Sequence, residues 1–151
     1  MPQNKILRSC FLLMIIVSQF SCKKDKAPAA ELLTQGSWKL TNYRYNYDNS
    51  GWVEQFSTLN DCDKDNILSF KPDLSYVLDN GQVKCNASDP QIVRGGTWYF
   101  ANDWNIITND SIQGSVILEI NTLNESMLKV TRKDTVGSAT VVAYTEFTYD
   151  H

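Results

Sequence analysis

Short runs of alternating apolar and polar residues, separated by turn signals at roughly ten-residue intervals, fill this chain from Gly36 onward. Alternation with a period of two is typical of strands that bury one face, and evenly spaced turns are typical of an all-β meander. No stretch after residue 35 sustains the period of an amphipathic helix. The predicted fold is therefore all-β, a small antiparallel up-and-down barrel of eight or nine strands whose closure removes exposed edges.

The predicted strands share this alternation. They cover residues 37–47, 52–57, 66–71, 75–83, 96–101, 104–109, 115–122, 126–134 and 140–149. A short helix at Glu31–Thr34 precedes them. The 151 residues are enough for one domain, and the net charge of −3 leaves no basic excess for nucleic acid phosphates.

The period of two also assigns an inner face, which is the candidate ligand-binding surface. It comprises Trp38, Leu40, Leu68, Phe70, Trp98, Phe100, Ile106, Leu118 and Leu128, extended by Val116, Ile120 and Val130. In the last strand Glu146 is expected to face water, which turns Ala143, Thr145 and Phe147 inward. Because none of these inner residues is charged, the expected ligand is a small apolar molecule. A core filled by side chains is the alternative.

The first residues of the chain predict the cellular location of the protein. Lys5 and Arg8 precede an apolar run at 11–17, which is too short to span a bilayer and typical of a signal peptide. Cys22 follows Ser21 just past this run and resembles the lipidated cysteine of a bacterial lipobox, although Gln19 and Phe20 depart from the usual residues. Ordinary secretion, with cleavage near 27–30, is the rival interpretation.

The lipobox interpretation divides the chain into a signal peptide over residues 1–21, a lipidated tether over 22–30 and a barrel domain over 31–151. The membrane is then a partner through the N-terminal acyl chains. Lys23 after the cysteine favours the outer membrane of the cell envelope, with the periplasmic or surface face left open.

Two cysteines remain in the barrel domain, Cys62 and Cys85. Their midpoint lies between Asp73 and Leu74, inside a turn signal, so a hairpin would bring them within the Cα separation of a disulfide. A zinc site is the competing interpretation, but it lacks a histidine and a third cysteine. We therefore predict a Cys62–Cys85 disulfide, as is usual in an oxidising periplasm.

A series of short motifs runs along the domain. It consists of LTQGSWKL at 33–40, CDKDN at 62–66, LSF at 68–70 with Pro72-Asp73, Cys85, and Gly96-Thr97-Trp98. In order and spacing these motifs resemble the lipocalin-like domain of small Gram-negative bacterial lipoproteins, over residues 31 to 149. Leu74 departs from the glycine that usually follows the aspartate, so a distorted turn is expected there. The resemblance implies a lipid-anchored barrel without established chemistry and with mostly unknown ligands.

No catalytic motif is present in the sequence. It has no glycine-rich phosphate loop, no nucleophile elbow and no His-Glu-x-x-His. The single histidine, His151, is the last residue and is expected to lie at a frayed terminus. Asp61, Asp63 and Asp65 alternate like half of a calcium loop but lack its glycine and its final glutamate. We therefore expect no enzyme activity, no cofactor and no metal.

Two function classes stay open beside the less favoured enzyme. One is a barrel that binds a small apolar ligand, and the other is an interaction or envelope-structural lipoprotein with a filled core. A cavity of about 300 Å³ or more favours the first class, and a large exposed apolar patch favours the second. Tyr43, Tyr45 and Tyr47, which alternate with Arg44, are either a stacking strip for sugar or a partner, or ordinary strand aromatics.

Overall fold

The computed structural model describes residues 28–102, 104–136 and 141–151, and they form the predicted all-β barrel. The strands are β1 (Ser37–Tyr47), β2 (Trp52–Glu54), β3 (Ile67–Phe70), β4 (Ser75–Asp79), β5 (Ile92–Asn102), β6 (Asn105–Asp110), β7 (Gly114–Leu123), β8 (Met127–Val136) and β9 (Val141–Asp150). Helix α1 (Ala29–Thr34) precedes them, and a 3₁₀ turn (Phe56–Thr58) and helix α2 (Asp61–Lys64) lie between β2 and β3. The predicted signal peptide and Cys22 lie outside the described residues.

Closure of the barrel depends on the length of β1. Its first residues pair with β3, its last residues pair with β2, and its opposite edge pairs with β9 over most of its length. From β3 to β9, each strand pairs antiparallel with the next. Eight strands therefore close the barrel, and the short β2 is an additional strand beside β1.

One end of the barrel is closed and filled by side chains. Helix α1 covers it with the fully buried Leu33, whose carbonyl accepts a hydrogen bond from Trp38 Nε1 at 2.9 Å. His151 also packs at this end, with its ring centroid 3.8 Å from that of Trp38 and its Nδ1 2.9 Å from the carbonyl oxygen of Ser37. The expectation of a frayed terminus is therefore wrong, because β9 continues to Asp150 and carries the last residue onto the core.

Glu146 corrects a second expectation. It lies on the outer face of β9, but only 7% of it is exposed. Arg44 Nε donates to its Oε1 at 2.7 Å, Lys129 Nζ lies 3.8 Å from the same oxygen, and the Arg44 guanidinium stacks on the Trp52 ring at 4.6 Å. Long cationic side chains and β2 thus cover the carboxylate, which the alternation of a single strand does not reveal.

The Cys62–Cys85 disulfide is confirmed, with a Cα separation of 5.1 Å. The proposed hairpin geometry is wrong, however, because the β3–β4 pairing ends at Ile67 and Asp79. Cys62 lies on α2 and Cys85 lies in the long loop after β4, so the bond joins a helix to a loop.

Asp65 reinforces this junction between helix and loop. Its carboxylate accepts hydrogen bonds from the backbone N–H groups of Val83 (2.8 Å) and Gln82, and Lys39 Nζ lies 3.2 Å away. The Val83 and Gln82 amides, with Lys39, hold the pKa of Asp65 below its usual value. One member of the alternating acidic run is therefore occupied by structural hydrogen bonds.

A candidate ligand-binding cavity

An internal cavity of about 290 Å³ lies between the filled end of the barrel and the opposite end. Side chains from β3 to β9 and from the β6–β7 turn surround it. They are Leu68, Phe70, Tyr76, Leu78, Arg94, Thr108, Gln113, Val116, Leu118, Val130, Arg132, Phe147 and Tyr149. The volume is close to the lower limit of ordinary small-molecule pockets.

The apolar part of the wall is built from packed aromatic rings and aliphatic side chains. Phe70 meets Trp98 edge to face at 5.5 Å, and Phe147 stacks on Tyr149 at 6.3 Å. Leu118 completes this wall. These packed rings give the cavity an apolar wall, onto which apolar surface can be transferred from water.

Two arginines also line the cavity, which contradicts the expectation of an uncharged interior. Arg94 on β5 pairs with Leu78, and Arg132 on β8 pairs with Leu118. Directly paired residues lie on the same face of a sheet, so both guanidinium groups share the inner face with these leucines. About a quarter of each arginine side chain is exposed (25% and 28%), so the cavity reaches solvent at this end.

An acidic residue accompanies each arginine. Arg94 Nη1 donates to Gln113 Oε1 at 2.8 Å, and its Nε lies 3.7 Å from Asp110 Oδ2. Arg132 Nε donates to Asp134 Oδ2 at 2.7 Å. These contacts orient the two guanidinium groups without consuming most of their N–H donors.

Asp110 and Tyr76 form a polar latch at the edge of the cavity. The Tyr76 hydroxyl donates to Asp110 Oδ2 at 2.5 Å, while Asp110 Oδ1 accepts from the backbone N–H groups of Ile112 (2.7 Å) and Gln113 (2.6 Å). The bond from Tyr76, followed by the Gln113 amide, holds the pKa of Asp110 below its usual value. Burial, and then the bond to Asp110, raise the pKa of Tyr76. The latch therefore fixes the β6–β7 turn, which carries Gln113.

A wall opening adjoins this cavity. The β7–β8 pairing in the described residues extends no further toward this end than Leu118 and Arg132, although both strands continue. A cleft of about 620 Å³ lies there and shares Gln113, Val116 and Arg132 with the internal cavity. The interior therefore opens sideways as well as at the end of the barrel.

Three of the predicted interior residues line the cavity, namely Leu68, Phe70 and Leu118. The extensions Val116 and Val130, together with the predicted inward Phe147, line it as well. Five predicted residues do not line the cavity but share the buried core with these residues or pack against it, and they are Trp38, Trp98, Phe100, Ile106 and Leu128. Leu40 is buried but borders a separate groove beside Phe56 and Val83.

Continuing the period of two would have identified the missed arginines. On β8, Arg132 comes two residues after the inward-facing Val130. On β5, Arg94 comes four residues before the inward-facing Trp98 and therefore lies on the same face. An inner face assigned by apolar character alone omits both arginines, because charged side chains are rarely buried.

The tyrosine strip extends the inner wall. Tyr43, Tyr45 and Tyr47 pair with Phe147, Thr145 and Ala143, which places the tyrosines on the inner face. The Tyr43 and Phe147 rings are 5.5 Å apart, and exposure rises to 37% at Tyr45 and 45% at Tyr47. The strip therefore runs from the cavity to its mouth.

Comparison of the sequence with protein-family models gives no match, and comparison with curated proteins gives none either. Among the described residues, no helix has the length and apolar character needed to cross a membrane. The function is therefore inferred from the cavity and its lining.

Proposed function

We propose that this barrel binds a small, largely apolar molecule in its internal cavity. The observation that supports the proposal is the space of about 290 Å³ lined by Leu68, Leu118, Val130 and their neighbours. A core filled by side chains along the whole barrel would leave no such space, because filled protein interiors are close-packed. The filled-core alternative therefore fits these side chains less well.

The chemistry of the wall favours burial of apolar surface. Transfer of apolar area from water contributes about 25 cal/mol per Å², and most of the lining is aliphatic or aromatic. The limited volume favours a single alkyl chain or one small ring system over a two-chain lipid.

The binding proposal is tested by calorimetric titration with decanol, a neutral ten-carbon probe. Leu118→Trp fills the cavity from its wall, whereas Tyr99→Trp, at a position 45% exposed on the outer face, is the matched control. Wild type and the control are expected to bind with a dissociation constant on the order of micromolar, and Leu118→Trp is expected to lose binding at least about tenfold. An absence of binding to wild type, together with a loss of about 1–3 kcal/mol of stability in Leu118→Trp, would indicate an overpacked, filled core.

We further propose that the protein is a lipoprotein of the cell envelope, attached through acyl chains on Cys22 to the outer membrane. The signal-like segment and the cysteine after Ser21 support this proposal. Cys22→Ser is expected to abolish sedimentation with membranes, whereas Cys10→Ser, inside the same segment, keeps it. Unchanged membrane fractionation of Cys22→Ser would contradict lipidation at that residue.

A further inference from the structure

We propose that the ligand is a single-chain anionic amphiphile whose acidic head group is held by Arg94 and Arg132 while its alkyl chain occupies the apolar part of the cavity. This inference rests on the proposed function and gives its ligand a chemical class. The two arginines come from different strands, β5 and β8, and both line the same cavity.

A third polar group lines the same cavity as the two arginines. Tyr149 lines the cavity, and burial raises the pKa of its hydroxyl, while Arg132 and Arg94 both act on the hydroxyl in the opposite direction. The hydroxyl is thus a neutral donor within the field of two positive charges. Two guanidinium groups and a phenol are the donor types that bind a carboxylate or phosphate oxygen.

The arginines retain free donor capacity. Each guanidinium has five N–H groups, and in the described part of the chain Arg132 donates through Nε alone. Arg94 Nε is buried and has no hydrogen-bond partner among the described residues. Its nearest carboxylate oxygen, Asp110 Oδ2, is 3.7 Å away, which is beyond hydrogen-bond length, so this donor is available to an acceptor on a ligand.

The neighbouring carboxylates leave this capacity available. Asp110 is already bound by Tyr76 and by two backbone N–H groups, and its Oδ2 is 3.7 Å from Arg94 Nε. Asp134 is 43% exposed at the mouth. Asp134 is the only one of the two that competes with an incoming anion for Arg132, and it competes weakly, because its one half-exposed hydrogen bond is easily exchanged.

The experiment compares decanoate with decanol, which have the same chain length and different charge. Calorimetric titration of the wild-type protein is expected to give at least about tenfold tighter binding of decanoate. Arg132→Gln and Arg94→Gln are each expected to weaken decanoate binding about tenfold and to leave decanol binding unchanged. Asp134→Asn removes the competing carboxylate and is expected to strengthen decanoate binding, which a general loss of folding would not do.

The outcomes distinguish a failure of this inference from a failure of the proposed ligand binding. If decanol and decanoate bind equally well and the arginine variants change neither affinity, the inference is overturned while the binding barrel stands. If neither probe binds, the proposed function itself fails and this inference with it. Decyl phosphate, titrated in parallel, identifies the source of the charge: tighter binding than decanoate indicates a phosphorylated lipid, and weaker binding indicates a free fatty acid.

Discussion

Leu118 on β7 and Arg132 on β8 are direct cross-strand partners, and theirs is the last β7–β8 pair toward the open end in the described residues. Both side chains line the internal cavity, one with an aliphatic surface and one with a charge. Beyond this pair the two strands continue separately and border the cleft. The same position therefore marks the boundary between apolar wall and polar mouth.

Hydrogen exchange should detect this separation of strands. Amides that point into the cleft from residues 114–117 and 133–136 have no ladder partner across it, so they are expected to exchange much faster than those of residues 118–120 and 130–132. Residue-resolved NMR exchange measures the difference. Uniformly slow exchange along both strands would contradict the cleft.

The disulfide should contribute a large share of stability. It joins residues 23 positions apart, for which the chain-entropy estimate is about 3.4 kcal/mol. The double variant Cys62→Ser/Cys85→Ser is expected to lower the urea midpoint accordingly, and reduction of the wild type should do the same. Two free thiols in the oxidised protein, found by alkylation and mass measurement, would refute the bond.

Leu74 is expected to be a stabilising site for substitution. Its φ of 64° lies in the left-handed region, which an L side chain occupies at a cost of about 1–2 kcal/mol, and the side chain is half exposed. Leu74→Gly should therefore raise the free energy of unfolding by up to about 1 kcal/mol after the entropy of the unfolded chain is counted. Leu74→Ala retains the strain and should give no gain, so equal effects of both variants would contradict this explanation.

The Tyr76–Asp110 latch should give a pH-dependent stability. Because the folded-state pKa of Asp110 lies below its unfolded value, the latch contributes fully above about pH 4 and is lost as the pH falls through the folded pKa. Asp110→Asn is expected to cost about 1–3 kcal/mol at pH 7, with the difference from wild type shrinking below pH 4. Urea unfolding at several pH values measures it, with Glu119→Gln as control, because that exposed carboxylate has no ion pair among the described residues. A pH-independent difference would show that the latch is not ionic.

The sequence predicted the barrel well because its strands each bury one face, and that alternation is a local property. β1 occupies Ser37–Tyr47 as predicted, and in five of the other eight strands both ends lie within two residues of the predicted boundaries. β4 stops at Asp79 rather than at residue 83. In the loop that follows, the backbone N–H of Val83 donates to the Asp65 carboxylate instead of to a neighbouring strand. A hydrogen bond between residues this far apart in the sequence produces no periodic pattern from which it could be predicted.

The candidate site was predicted less well because it depends on contacts between strands distant in sequence. Trp38 and Leu68 are both predicted to face inward and are direct cross-strand partners in the buried core, yet only Leu68 also lines the cavity. Whether an inner side chain meets a neighbour or a void depends on the stagger of eight strands, which includes bulges such as the one between Leu40 and Asn42.

The central claim is that an amphiphile enters the barrel interior, and methyl-detected NMR with decanoate tests it most directly. Intermolecular contacts are expected between the probe's chain and the methyl groups of Leu68, Leu118 and Val130, which line the cavity. Contacts confined to the exposed Ile92 and Ile112, with no change at the three inner residues, would mean that the probe only adheres to the outer surface and would contradict the account.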